Sequence, residues 1–461
     1  MIVGYVAAAL IVTPIVLAFF SPLLLICLAL GTGALPLALG PGGLLASDFG
    51  RLDLYSIRVF GLWLASMLLI VPSFSRLLGY SLRFRWHLAF LVFAMMAMIW
   101  SPSLLYGARM VAKLTAPFLF LLLVLVSVSS WTALQSMERA MFLSGILAVV
   151  LSLGAVVAGY AQVNSLVGFG IPGLGPAGTS AHLAILAMLA LAAARTSPAP
   201  VFYAVIALCF GAAVIAGFTR ITIAGLFLGV TVVLWVSSSG WFRWVLPLAG
   251  VASIPALFVL SETFRHRMFK NQEGISLDML THDPAAALDQ IHGSGRFDHW
   301  AYVMKTFFDP NPLFGSGTGT TQHYFYTHQV GLSVIHSEYV RLLAEVGLLG
   351  AGLLILAVIA YMVRLTRAYH RARTSKAKTY ALAGLGSLVV YVTFMATDNA
   401  IDYVTSSGIY VFSLIAMSEK ACDLEGEQSP LDQIQPGRVD VASVPAAAPV
   451  QNRRYPILAW K

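Results

Sequence analysis

The sequence predicts an all-α membrane protein that crosses the bilayer about twelve times and carries one long loop outside it. Three observations lead there. Hydrophobic residues make up 59% of the 461 positions and charged residues only 10%, against about a quarter charged in ordinary globular chains. No charged residue precedes Asp48. The apolar residues also fall in blocks close to the roughly 20 residues that a helix needs to cross the hydrocarbon core. Soluble domains are excluded, because so little charge cannot solvate their surfaces.

The blocks lie near 55–72, 87–100, 114–130, 138–159, 178–195, 200–217, 220–236, 242–260, 340–363, 380–397 and 404–418. Residues 1–39 supply the remaining crossing, interrupted by Pro14, Pro22 and Gly31; two crossings there would make thirteen spans in all. The positive-inside rule sets the orientation. Arg364, Arg367, Arg371, Arg373, Lys376 and Lys378 have no acid among them and mark a cytoplasmic loop. Arg76, Arg83 and Arg85 fall on the same side when the spans are counted back. The loop 261–338 then faces the opposite, periplasmic side.

Four segments result: transmembrane helices in 1–260, the loop 261–338, transmembrane helices in 339–419 and a cytoplasmic tail 420–461. The tail is rich in Pro, Ala and polar residues, the composition of disorder. No internal repeat suggests the paired halves of a transporter.

The formal charge of +8 does not point to nucleic acid, because its densest run, 364–378, sits beside a membrane span. Cys27, Cys209 and Cys422 form neither a disulfide framework nor a CxxC pattern. No Lys or Arg precedes the first apolar run, so a signal peptide's basic start is missing.

The loop concentrates the chemistry. It holds seven of the ten histidines: His266, His282, His292, His299, His323, His328 and His336. Trp300, Phe307, Phe314, Tyr324 and Tyr326 give it the means to pack, so short helices are expected there. The run Gly315-Ser316-Gly317-Thr318-Gly319 reads either as a phosphate cradle or as a plain glycine turn. It lacks the Lys-Ser/Thr ending of a P-loop. His323 and His328 match no common zinc spacing. The chain contains no Asp-x-Asp, which would hold the divalent ion of a nucleotide-sugar transferase.

Two boundary residues carry more weight. Arg220 lies between apolar runs with almost no loop between them, on the side where basic residues are disfavoured. A cation there is costly and points to function; the bland alternative is a snorkelling side chain. His336 stands where the loop meets the run LLAEVGLLGAGLLILAVIA. It can exchange a proton near neutral pH, or it can simply cap the helix that follows.

The stretch IHSEYVRLLAEVGLLGAGLLIL at 335–356 resembles the signature of the O-antigen ligase and polymerase superfamily. SGRFDHW at 294–300, PLFGSGTG at 312–319 and FTRITIAGL at 218–226 are similar to the same family's other motifs. The resemblance spans about residues 55–418 and implies a GT-C-like glycosyltransferase of the bacterial inner membrane, without a cofactor. Three activities share the pattern: ligation of a finished glycan onto lipid A–core, polymerisation on the lipid carrier, and transfer to protein. The short tail argues against the third, and the regular motif around His336 favours the ligase.

The ligase reading implies an undecaprenyl diphosphate-linked donor, a lipid A–core acceptor and metal-independent inverting transfer. Arg220, Arg265 and Arg296 are then the candidates for the diphosphate, with Arg267 and Lys270 weaker. His336 is the candidate general base. A lipid-linked glycan transporter or an envelope scaffold would use the same apolar spans. The first predicts charges spread through several spans, and the second leaves Arg220 unexplained.

Overall fold

The computed structural model describes residues 12–17, 20–33, 35, 54–70, 74–159, 170–171, 175–217, 219–241, 243–245, 296–328 and 335–428. Among these residues the chain is helical, with no strand beyond an isolated Ile171–Gly175 bridge. In order the helices are α1 (Pro22–Gly31), α2 (Leu54–Ile70), α3 (Phe74–Arg83), α4 (Arg85–Met96), α5 (Leu104–Ser127), α6 (Trp131–Val157) and α7 (Gly175–Thr196). They continue as α8 (Pro200–Ala216), α9 (Arg220–Ser237), α10 (Arg296–Val303), α11 (Thr320–Thr327), α12 (Glu338–Arg371), α13 (Ser375–Phe394) and α14 (Ile409–Gln428). Six of them, α5, α6, α7, α9, α12 and α13, are long and apolar enough to cross a bilayer. Shorter apolar helices are α1, α4, α8 and the Arg58–Leu69 part of α2. The span expected at 242–260 lies almost wholly outside the described residues.

Several boundaries differ from the sequence reading, each for a physical reason. The block 87–100 is the short helix α4, which ends at Met96 in a turn. The block 114–130 begins at Leu104, so Arg109 and Lys113 lie inside α5. An isolated cation reads as a span boundary, but here Lys113 has a partner in Asp402 at 2.5 Å. The block 404–418 opens with a buried π-helical turn, Val404–Gly408. Its helix, α14, then runs to Gln428, into the segment read as disordered. Its acids explain this: Asp423 pairs with Arg83 at 3.3 Å, and Glu425 accepts from the N–H groups of Arg373 and Thr374.

The centre of the bundle is α7 packed between α8, α9 and α13. Both α7 and α13 are Ala- and Gly-rich and almost wholly buried, which lets backbones approach closely. One end of the bundle is basic: Arg364 pairs with Glu419 at 2.5 Å, Lys376 with Glu138 at 2.7 Å, and Arg83 with Asp423. The other end carries α10, α11 and the connection 395–408.

That far end is built on a break in α12. Gly347 has φ 62° and ψ −168°, which interrupts the helical hydrogen bonds. The loop fills the gap. Ser316 N–H donates to Ala344 O and Gly317 N–H to Glu345 O, both at 2.9 Å. In return Leu348 N–H donates to Pro312 O at 2.8 Å and Leu349 N–H to Leu313 O at 3.1 Å. The buried Glu345 carboxylate accepts from Gly319 N–H at 2.8 Å, from Thr321 N–H at 3.3 Å and from the Thr321 hydroxyl. The glycine run is therefore a structural turn. Its N–H groups are occupied by the protein's own oxygens, and the phosphate-cradle reading is ruled out. Val303, Phe307, Phe325, Ile335 and Ala344 form a small apolar core beneath it.

A Cβ on Gly347 would stand 2.5 Å from Leu313 O, whereas nothing lies within 4 Å of one on Gly352. Gly347→Ala is expected to lower stability by at least the 1–3 kcal/mol or so that a strained backbone costs. Gly352→Ala should leave the thermal unfolding midpoint of the purified protein unchanged. Equal midpoints for the two variants would contradict the stitched break.

Candidate functional site

His336 lies just before α12 with φ 53°, the only positive φ of a non-glycine residue among the described residues. Such backbone costs energy and concentrates at functional sites. Ser337, not His336, caps the helix, its Oγ accepting from Val340 N–H at 3.4 Å. The capping explanation of His336 therefore falls away. Its backbone N–H donates to Asn399 Oδ1 at 3.1 Å. Its ring Nδ1 stands 4.0 Å from Asp398 Oδ1 and 3.5 Å from Asn399 Nδ2. Nε2 has no partner among the described residues, and the side chain is about one third exposed.

The turn that faces His336 is held from below. Glu338 N–H donates to Met395 O at 2.9 Å, and Glu338 Oε1 accepts from Ile401 N–H at 3.0 Å. Arg341 pairs with Glu338 at 3.0 Å and with Asp402 at 3.4 Å. Burial pushes the Asp402 carboxyl up, but Lys113 and Arg341 outweigh it and hold it at about 2. Asp402 is thus ionised, and it locks α5, α12 and the 397–402 connection together.

Arg296 opens α10 and donates from Nη1 to Thr397 O at 2.7 Å. One turn later Trp300 Nε1 donates to Ile335 O at 2.8 Å. The helix α10 thus touches both the residue before His336 and the turn opposite it. Burial, and after it the nearby His336, hold the His299 imidazole below its ordinary value. His299 packs edge-on against Phe325 at 4.8 Å.

Arg220 begins α9 and is part-buried. A cation at a helix N-terminus opposes the helix dipole. The helix runs antiparallel to α13: Cβ positions built on Gly225 and Gly229 fall 3.2 Å from Val390 O and 3.1 Å from Gly386 O. Arg220 therefore belongs to the end of α13 that carries Thr397. Arg265, Arg267 and Lys270 lie outside the described residues. His323 packs on Tyr106 and His328 stacks on Tyr324, with centroids 5.4 and 4.1 Å apart. Among the described residues no three His, Cys, Asp or Glu side chains converge to hold a metal ion.

Residues 204–355 match the family model described as O-antigen ligase. The match covers about a third of the chain and includes Arg220, Arg296 and His336. It is consistent with a member of the O-antigen ligase superfamily, whose proteins are glycosyltransferase-like. No curated protein matches the sequence. Lys113, Asp398, Asn399 and Asp402 lie outside the matched stretch, and the fold brings them to it.

Sequence reasoning passes over those four, together with Glu338 and Arg341. Two signals are present: a Lys inside an apolar run, and two acids in the short link TDNAID between two spans. Asp402→Asn leaves Lys113 without its carboxylate and Arg341 with Glu338 alone. Breaking a buried pair in this way costs about 3–5 kcal/mol, so the variant should unfold at a clearly lower temperature. An unchanged midpoint would remove the cluster from the account.

Proposed function

We propose that this protein is an O-antigen ligase of the bacterial inner membrane. It moves a finished glycan from undecaprenyl diphosphate to a sugar hydroxyl of lipid A–core, on the periplasmic side. The orientation rests on the basic end, which lies opposite His336 and reads as cytoplasmic. On this reading the chain crosses the membrane twelve times, the loop 261–338 is periplasmic, and lipid carrier and lipid acceptor meet at the membrane surface.

The observation that carries the reading is the convergence of Arg296 and His336 on the Thr397–Asn399 turn. The acceptor hydroxyl is a poor nucleophile until its proton leaves. Asp398 Oδ1, 4.0 Å from His336 Nδ1, favours the imidazolium that forms when the ring takes that proton. The hydroxyl oxygen forms a bond to the anomeric carbon as the carbon–oxygen bond to the diphosphate breaks, so the centre inverts. The electron pair passes to the departing diphosphate. Arg220, Arg265 and Arg296 meet that charge with guanidinium groups, which stay charged and grip phosphate with a forked set of donors. Arg267 and Lys270 are weaker candidates for the same charge. The step needs no metal and no cofactor, because the donor's diphosphate linkage supplies the driving force.

Incubating purified protein with lipid-linked glycan and lipid A–core tests the reading. Covalent glycan on lipid A–core is expected, and it should form equally well in a strong chelator. Arg296→Gln should slow formation about 10²–10³-fold, the usual cost of one preorganised charge, and Arg296→Lys, which keeps the charge but loses the fork, should also impair it strongly. Growth of the glycan on its carrier alone would assign a polymerase instead. Activity lost to chelation and restored by a divalent ion would contradict the arginine account of the leaving group.

A further inference from the structure

A second concentration of charge lies at the opposite end of the bundle and takes no part in the transfer. Between α12 and α14 opens a cleft of about 560 Å³ lined by Arg364, Arg367, Arg371 and Arg373 with Glu419 and Glu425. The two acids are already used. Glu419 holds Arg364 through two hydrogen bonds, and Glu425 accepts from backbone N–H groups at the α12–α13 corner. Arg367 and Arg371 have no ion pair or hydrogen bond among the described residues. They lie four residues apart and so share a helix face.

An apolar ridge, inclined to the helix axis, leads onto that face. Ile355, Ile359 and Val363 are 55%, 51% and 40% exposed and repeat every four residues up to Arg367 and Arg371. Apolar side chains exposed on a span face lipid tails. The two guanidiniums succeed them where the apolar run ends, at the level of the headgroups.

We propose that this cleft binds an anionic phospholipid, with acyl chains along Ile355, Ile359 and Val363 and the phosphate between Arg367 and Arg371. Basic pockets between helices at the membrane surface bind such headgroups, and a guanidinium pair matches a phosphate's oxygens. The continuous apolar ridge selects a lipid over a soluble phosphate. The site does not depend on the transfer chemistry or on which side of the membrane this end faces.

Native mass spectrometry of the full-length protein in detergent, titrated with phosphatidylglycerol or phosphatidylcholine, tests the proposal. Phosphatidylglycerol should bind about tenfold more tightly or better, with no displacement by equimolar inorganic phosphate. Arg367→Gln combined with Arg371→Gln should abolish the preference, while Lys378→Gln at the same end retains it. A thermal unfolding scan of the double variant without added lipid checks that it is folded. Equal binding of the two lipids, displacement by inorganic phosphate, or a preference that survives in the folded double variant would each overturn the proposal.

Discussion

Glu345 holds the far end of this bundle together. A carboxylate buried among helices is costly unless its oxygens are hydrogen-bonded. Here it takes two N–H groups and a hydroxyl at the start of α11, where the helix dipole also favours an anion. It can do so because α12 breaks two residues later, at Gly347, and the backbone of 312–317 fills the break. Once the loop is stitched there, its small core beneath α11 sets α10 against the start of α12. Arg296 then reaches the carbonyl of Thr397.

The site follows from that docking. Arg296 and the His336 backbone are held by the Thr397–Asn399 turn, which Lys113, Asp402, Arg341 and Glu338 brace from below. Preorganised charge of this kind supplies much of the rate enhancement in many enzymes, because nothing has to reorient as the bond breaks. His336 is the exception in its backbone, held at positive φ by the Asn399 side chain. It stands outside α12, so its ring is free of the helical geometry that would turn it toward the preceding residues.

Much of this is legible in the sequence. Apolar blocks mark the helices, basic runs mark the end to which Arg83 and Arg364 both belong, and the misplaced cation at Arg220 stands out. The position of His336 at a polar–apolar junction is also plain. What stays hidden depends on distant parts of the chain meeting. Lys113 reads as a boundary residue because its partner, Asp402, lies 289 positions away. The Asp398–Asn399 pair reads as a short polar link, since nothing local says that His336 will face it. The glycine run reads two ways because its ligand is the Glu345 carboxylate of a later helix. The helical extension of α14 is hidden for the same reason, its acids finding Arg83, Arg373 and Thr374 only in the fold.

The proton that His336 accepts is the point on which the proposed transfer turns. The decisive measurement follows glycan transfer and donor binding in parallel for His336→Gln. Glutamine keeps much of the size and hydrogen-bonding capacity but cannot take a proton. Transfer should fall by about 10²–10⁴, the usual contribution of a general base, while binding of the lipid-linked donor is retained because the arginines hold its diphosphate. A glutamine variant that transfers glycan at close to the native rate would make His336 a positioning residue and contradict the account.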